Sequence, residues 1–93
     1  MSDTIDALWH VIQDRRYHPQ EGSYTCALFE QGEARILKKV GEEAAEVLVA
    51  GALEGDERLI SESADLVYHL LVLLAAHDLT WDDVEAELRH RFR

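Results

Sequence analysis

The chain has 93 residues, enough for one small domain with a single hydrophobic core, and we expect residues 1–93 to form that one domain. Hydrophobic residues make up 47% of the chain, with one proline and five glycines, which excludes disordered and fibrous classes. The 19 acidic residues exceed the 9 Lys and Arg residues, for a formal net charge of −10. Such a charge repels phosphate backbones and anionic lipids, so we expect no nucleic-acid or membrane partner.

The cysteine content and the apolar segments indicate the compartment. Cys26 is the single cysteine and forms no disulfide within the chain, which favours a reducing compartment, and we expect a cytoplasmic protein. Residues 1–10 carry two acids and no basic group ahead of their apolar residues, unlike a leader peptide. The most apolar segment, residues 66–76, is shorter than the roughly 20 residues that span a bilayer.

Apolar residues recur at intervals of three and four along most of the chain, which predicts helices. The first helix is predicted over about residues 4–16, followed by a loop at 17–22 and a short helix at 23–31 that Gly32 ends. Two long helices are predicted over 33–53 and 56–77. A last helix is predicted over 81–91. The residues Thr80 and Asp83 at its start form a weaker relative of the capping box.

No segment alternates with a period of two, so the pattern predicts an all-α bundle of about five helices around two long antiparallel ones. Each long helix spans about 30 Å and carries more apolar surface than the short helices can cover. We therefore expect a homodimer or higher oligomer, with a second copy completing the core. The alternative is a monomer that leaves a few leucines exposed.

Carboxylates are concentrated on the two long helices. At about 100° per residue, Glu42 and Glu46 lie about 40° apart and Glu43 lies about 60° from Glu46, so the three share one stripe. The next helix places Glu62 and Asp65 one turn apart. If the helices pair antiparallel, the two acidic stripes face one another, and carboxylates about 4 Å apart repel by roughly 4 kcal/mol at an effective dielectric near 20.

A divalent cation would relieve this repulsion. Carboxylate ligands without cysteine or paired histidine suit Mg²⁺, and Mn²⁺ should substitute for it. Mg²⁺ beside lysines, here Lys38 and Lys39, is a recurrent arrangement for hydrolysing phosphoanhydrides. The alternative is a solvated acidic face in which Lys39 and Glu43 form an ordinary ion pair.

Three isolated residues have structural explanations of their own. Cys26 lacks a cue for nucleophilic activation and is expected to be a small buried residue. His69 is expected to pack in the core or to bond to Asp65 one turn earlier. Gly41 lies inside a helix, where glycine costs about 1 kcal/mol relative to alanine, which indicates either a close approach or a local kink.

Several segments together resemble the phosphoribosyl-ATP pyrophosphohydrolase family of histidine biosynthesis, within the all-α nucleoside triphosphate pyrophosphohydrolases. The resemblance rests on Ser23-Tyr24-Thr25, on KKVGEEAAEV at 38–47 and on ESADLVYHLLVLL at 62–74, and it covers nearly the whole chain. It implies hydrolysis of 1-(5-phosphoribosyl)-ATP at the α,β phosphoanhydride, which yields phosphoribosyl-AMP and pyrophosphate.

The resemblance also implies roles for individual residues. Mg²⁺ would be held by carboxylates of both long helices: Glu42, Glu43, Glu46, Glu62 and Asp65. One of the three glutamates on the first long helix would also accept the proton of the attacking water. Lys39 would contact phosphate, Lys38 would adjust the local field, and Tyr24 and Thr25 would contact the substrate. Two other functions stay open at this point: a house-cleaning nucleotide pyrophosphohydrolase with the same metal cluster, and a non-catalytic acidic helical dimer that binds a basic partner.

Overall fold

The computed structural model describes residues 3–92, and these residues form five α-helices and no strand, as the all-α prediction requires. The helices are α1 (Asp3–Tyr17), α2 (Tyr24–Gln31), α3 (Glu33–Val49), α4 (Asp56–Ala76) and α5 (Trp81–Arg91). A π-helical turn, Ala50–Glu54, follows α3 directly. The predicted boundaries of the first, second, fourth and fifth helices agree with those observed to within one residue.

The connection between α3 and α4 differs from the sequence prediction. The regular helix expected over 33–53 ends at Val49, and the chain continues into the wider π-helical turn. That turn buries Ala50 completely and sets Gly51 against the Leu59 side chain. Only Gly55 lies outside helical structure here, with φ at +91°, a backbone conformation that glycine adopts without strain. The two long helices therefore form a closely connected antiparallel hairpin.

Side-chain caps fix the starts of α2 and α5. The Ser23 hydroxyl accepts a hydrogen bond from the Cys26 backbone amide and caps α2. At α5 the Thr80 hydroxyl accepts from the Asp83 amide, while the Asp83 carboxylate accepts from the Thr80 amide. This reciprocal pair is a complete capping box, whereas the sequence predicts only a weaker form of that motif.

The hydrophobic core lies where α1, α2, α3 and the second half of α4 meet. Its fully buried members come from all four helices: Ile12, Leu28, Ile36, Leu71, Val72 and Ala75. Leu8, Trp9, Val67 and Leu74 pack against this cluster. Cys26 is also buried, as expected, and its thiol donates to the Arg15 carbonyl. The core thus anchors one half of the α3–α4 hairpin.

The other half of the hairpin leaves apolar side chains exposed. The helical pattern groups Leu48 with the inward face of α3, yet its side chain is 74% exposed. Leu53 in the π-helical turn and Ile60 in α4 are 82% and 70% exposed. The pattern predicts an apolar face correctly, but α1 and α2 are too short to cover it at this end of the hairpin.

Helix α4 is long and apolar enough, by length and mean hydropathy alone, to cross a membrane. The core helix of a soluble protein meets the same criterion. In this fold α4 contributes Leu71, Val72 and Ala75 to the core and carries Glu62 and His69 in buried positions.

Candidate active site

The α3–α4 hairpin brings together three of the five predicted metal-binding acids. Glu43 of α3 and Glu62 and Asp65 of α4 each offer a carboxylate oxygen, and these oxygens lie within 4.8 Å of one another. Glu43 is 6% exposed and Glu62 is 4% exposed, whereas Asp65 is open to solvent. We call these three residues the acid cluster.

Two oxygens of the acid cluster, Oε2 of Glu43 and Oε2 of Glu62, are buried without a hydrogen-bond partner among residues 3–92. Burying a carboxylate oxygen without a partner is costly, because that oxygen loses its hydration and gains no hydrogen bond in return. Two such oxygens beside a third carboxylate form a set of hard donors of the kind that Mg²⁺ prefers. The chemistry of these residues therefore fits a hard divalent cation.

Glu46 lies at the solvent edge of the acid cluster. Hydrogen bonding to Glu62 and to Glu43, together with their negative charge, raises the pKa of Glu46 from 4.5 to about 7. Its side chain is exposed, in contrast to the two buried glutamates that it contacts. Glu46 therefore shares its electrostatic environment with the cluster and remains accessible to water.

Lys39 pairs with the α3 glutamates. Its Nζ lies 3.3 Å from Glu43 Oε1 and 3.5 Å from Glu42 Oε1. Desolvation lowers the pKa of Lys39, but its hydrogen bond to Glu43 and the nearby negative charges outweigh that effect and raise it. Burial likewise opposes ionisation of Glu43, yet hydrogen bonds from Glu46 and Lys39 leave its pKa below the ordinary value. Glu42, which is exposed, lies outside the acid cluster, and Lys38 is also exposed.

Arg58 provides a further contact that was not predicted. Its Nη2 lies 2.6 Å from Glu62 Oε1, and its Nε lies 3.8 Å from Glu54. Arg58 precedes Glu62 by four residues on α4, a spacing at which oppositely charged side chains meet on a helix. That spacing is the sequence signal that identifies this partner of the cluster.

A chain of hydrogen bonds joins α2 to α4 beside the cluster. The Tyr24 hydroxyl lies 2.9 Å from His69 Nε2, and His69 Nδ1 lies 2.7 Å from the backbone carbonyl oxygen of Asp65. The predicted bond between His69 and Asp65 is thus confirmed, and it is made to the main chain. Tyr68 packs edge-on against the His69 ring, with centroids 4.9 Å apart. The sequence did not indicate that His69 contacts Tyr24.

Thr25 and Tyr24 occupy different environments although they are adjacent in the chain. Thr25 is buried, and its hydroxyl is hydrogen-bonded to the Tyr68 hydroxyl. Tyr24 is half exposed and borders a cleft of about 620 Å³ that residues 19–24 and the outer face of α2 line. Of the two predicted substrate contacts, Tyr24 is therefore the one that a ligand can reach directly.

Comparison with known proteins decides the family. Residues 5–92 match the family model described as phosphoribosyl-ATP pyrophosphohydrolase. The chain belongs to the phosphoribosyl-ATP pyrophosphohydrolase family. The resemblance stated from the sequence is thus confirmed, as is the prediction of an enzyme of this family.

Individual family members are similar over almost their full length. The chain is 61% identical to the phosphoribosyl-ATP pyrophosphatase of Pelotomaculum thermopropionicum, over 96% of this chain and 91% of that protein. It is 49% identical to the protein of the same name from Clostridium botulinum, over 97% of this chain and 82% of that protein. The Metallosphaera sedula phosphoribosyl-ATP pyrophosphatase is 48% identical over the whole of both chains.

Proposed function

We propose that this protein hydrolyses 1-(5-phosphoribosyl)-ATP at the α,β phosphoanhydride in a Mg²⁺-dependent reaction of histidine biosynthesis in the cytoplasm. The products are phosphoribosyl-AMP and pyrophosphate. The observation that carries the proposal is the pair of buried, unpartnered carboxylate oxygens of Glu43 and Glu62 beside Asp65, in a chain of this family. No nucleic-acid or membrane partner is required by this activity.

The acid cluster would hold the cation. Glu43, Glu62 and Asp65 supply oxygen donors from two helices, and Lys39 and Arg58 leave these three carboxylates with a net negative charge that a divalent cation would offset. When bound, Mg²⁺ neutralises phosphate oxygens and stabilises the pyrophosphate leaving group, and Mn²⁺ should replace it.

The other polar residues of α3 would accept the proton of water and contact phosphate. Glu46 contacts both buried glutamates and is open to solvent, which supports Glu46, of the three α3 glutamates, as the one that would accept the proton of the attacking water. Lys39 keeps its positive charge beside Glu43 and supplies a cation for a phosphate group. Glu42 is exposed and helps to hold Lys39, while exposed Lys38 adds positive charge to the same helix.

The test is phosphorus NMR of the products from phosphoribosyl-ATP with excess Mg²⁺ or with EDTA. We expect pyrophosphate and phosphoribosyl-AMP with Mg²⁺ and no turnover with EDTA. Glu43→Gln removes a donor charge with little change of shape and should lower kcat/KM by at least about 100-fold, since even outer partners of metal ligands are worth about 10- to 100-fold. Glu57→Gln, on the exposed first turn of α4, is the matched control and should leave kcat/KM unchanged.

Other outcomes of this assay support different functions. Faster turnover of deoxynucleoside triphosphates than of phosphoribosyl-ATP would assign the protein to nucleotide house-cleaning. Failure of the Mg²⁺-loaded protein to release pyrophosphate from either substrate would contradict the proposed activity and favour an acidic helical module that binds a basic partner.

We also propose that the protein is a homodimer in which a second copy covers the exposed end of the hairpin. Leu37, Gly41, Ala45 and Leu48 follow one another at intervals of three or four along α3, and the stripe they form is partly or largely exposed. A Cβ added to Gly41 would meet nothing within 4 Å in the described part of the chain, so no close approach there explains this glycine, and α3 continues through it. A helix of a second copy would pack closely against such a stripe.

Light scattering coupled to size-exclusion chromatography tests this assembly. Leu48→Glu places a charge in the stripe and should convert the dimer to a monomer. Leu88→Glu, a control at a half-exposed leucine of α5, should leave the dimer intact. A wild-type protein that elutes as a monomer at all concentrations tested would contradict the proposal.

A further inference from the structure

The contact between Tyr24 and His69 restricts what Tyr24 can recognise. A backbone carbonyl only accepts hydrogen bonds, so the 2.7 Å contact between His69 Nδ1 and the Asp65 carbonyl places a proton on Nδ1. In a neutral imidazole the other nitrogen then carries a lone pair. Nε2 accepts, and the Tyr24 hydroxyl, 2.9 Å away, donates its only proton to it.

The surroundings of His69 hold this arrangement in place. The ring is 4% exposed, and it packs edge-on against both Tyr24 and Tyr68, with centroids 5.8 Å and 4.9 Å away. Rotation of the ring would break both hydrogen bonds and leave the Asp65 carbonyl without this donor. The orientation of the imidazole is thus determined by α4, and it determines in turn the direction of the Tyr24 O–H bond.

We propose that His69 is a positioning residue that makes the Tyr24 hydroxyl a hydrogen-bond acceptor only, so that Tyr24 binds a donor group of the substrate and not a phosphate oxygen. The inference rests on the proposed function, because it divides one substrate between two sets of residues. A phenolic oxygen whose proton is committed retains lone pairs, which accept from a hydroxyl or an N–H group. Ionised phosphate oxygens offer no proton and cannot bind there.

Lys39 and the acid cluster serve the complementary part of the substrate. Lys39 lies 3.3 Å from Glu43 and 3.5 Å from Glu42 on α3, beside the acid cluster. The ammonium group has three donors and suits phosphate oxygens, whereas Tyr24 has acceptor capacity alone. The sugar hydroxyls or an N–H group of the base are therefore the parts of the substrate that face Tyr24, next to the cleft that this residue borders.

The first experiment reads the proton position directly, without substrate. Two-bond ¹H–¹⁵N correlation spectra of the full-length protein at pH 8, assigned with His69→Gln, should show the His69 proton on Nδ1. Tyr24→Phe should shift the Nε2 resonance, because it removes the donated hydrogen bond, whereas Tyr17→Phe on the exposed end of α1 should not. A proton on Nε2 in the wild-type protein would overturn the proposal.

The second experiment compares phosphoribosyl-ATP with inorganic pyrophosphate, a ligand that offers phosphate oxygens and no sugar or base. Tyr24→Phe should raise KM for phosphoribosyl-ATP by about 10-fold, the effect of one hydrogen bond, with kcat little changed. The inhibition constant of pyrophosphate should stay within about twofold of the wild-type value, because Tyr24 makes no hydrogen bond to pyrophosphate that the variant could lose. Equal weakening of both ligands, or an unchanged KM, would contradict the inference.

His69 itself is tested by a pair of variants. His69→Leu should raise KM for phosphoribosyl-ATP as Tyr24→Phe does, and His69→Gln, which restores an acceptor near Nε2, should recover part of that loss. A merely structural His69 would give equal losses in both variants, matched by equal falls in thermal stability. If the wild-type protein does not hydrolyse phosphoribosyl-ATP, the proposed function fails and the substrate half of the inference fails with it, while the His69 spectrum still decides the proton position.

Discussion

The two halves of the α3–α4 hairpin differ in the kind of atoms that they bury. In the apolar half, Ile36, Leu71 and Val72 are completely buried and pack against α1 and α2. In the acidic half, Glu43 and Glu62 are almost as deeply buried, yet each leaves one carboxylate oxygen without a partner. The first half gains stability from burial, whereas the second gives up stability to keep two donors available for a ligand. One pair of helices thus separates the residues that maintain the fold from those that we propose bind the metal ion.

A substitution in the apolar half should affect stability alone. Leu71→Ala removes a fully buried side chain and should lower the free energy of unfolding by about 3 kcal/mol. For a domain of this size the melting temperature should fall by on the order of 15 °C. Calorimetry measures the fall, and Mn²⁺ binding at low temperature should be unchanged. A weaker Mn²⁺ affinity in folded Leu71→Ala would break the separation between the two halves.

A divalent cation should stabilise the acidic half. Mg²⁺ at about 100 times its dissociation constant should add about 2.7 kcal/mol to the free energy of unfolding, because only the folded chain brings the acids together. The melting temperature should rise accordingly in wild-type protein and much less in Glu43→Gln. NaCl at equal ionic strength is the control, and an equal rise with NaCl would show general screening of charge instead of binding at the cluster.

The pH dependence of metal-free stability should identify Glu46. Its pKa in the folded protein is about 7, above the ordinary 4.5, so the folded state binds the proton more tightly than the unfolded chain. The stabilisation is fully present below about pH 4.5 and is lost as the pH rises through about 7. We expect the melting temperature to fall between pH 5 and 8, and we expect this fall to be smaller in Glu46→Gln than in Glu57→Gln. Identical slopes in the two variants would argue against crowding of these carboxylates.

The smallest expected effect concerns Arg58, the internal counter-ion of Glu62. Its guanidinium is half exposed, so Arg58→Gln should cost less than about 1 kcal/mol in metal-free protein, a shift of a few degrees in melting temperature. Saturating Mg²⁺ should remove most of this difference, because the cation then supplies positive charge at Glu62. Arg91→Gln, which breaks the exposed pair with Glu87, provides the control. A loss that persists unchanged in Mg²⁺ would show that Arg58 acts only as a structural residue.

The sequence predicts the helices well because periodicity and capping are local properties. The pairing of Thr80 with Asp83, the end of α2 at Gly32 and the extent of α4 all follow from residues within a few positions of each other. The end of α3 does not follow from such rules. Gly51 disfavours a regular helix but does not by itself specify a π-helical turn, in which Gly51 lies against the Leu59 side chain across the hairpin.

The acid cluster was predictable in part for the same reason. Helical spacing groups Glu42, Glu43 and Glu46 on one stripe, but the burial of Glu43 and the exposure of Glu42 depend on which side of that stripe faces α4. The contact between Tyr24 and His69 joins residues of α2 and α4, and neither periodicity nor charge spacing indicates it. The resemblance to the family implied a role for Tyr24, but nothing in the sequence indicated that its hydroxyl is hydrogen-bonded to His69.

The single-residue link at Gly55 has a consequence for how the cluster assembles. Since α3 and α4 are consecutive helices, the carboxylates meet through a short loop closure, which is fast and carries a small entropic cost. The acids should therefore converge before α1, which is farther away along the chain, has docked. Repulsion among them then slows the nucleation of the hairpin, and a divalent cation present during refolding should accelerate it.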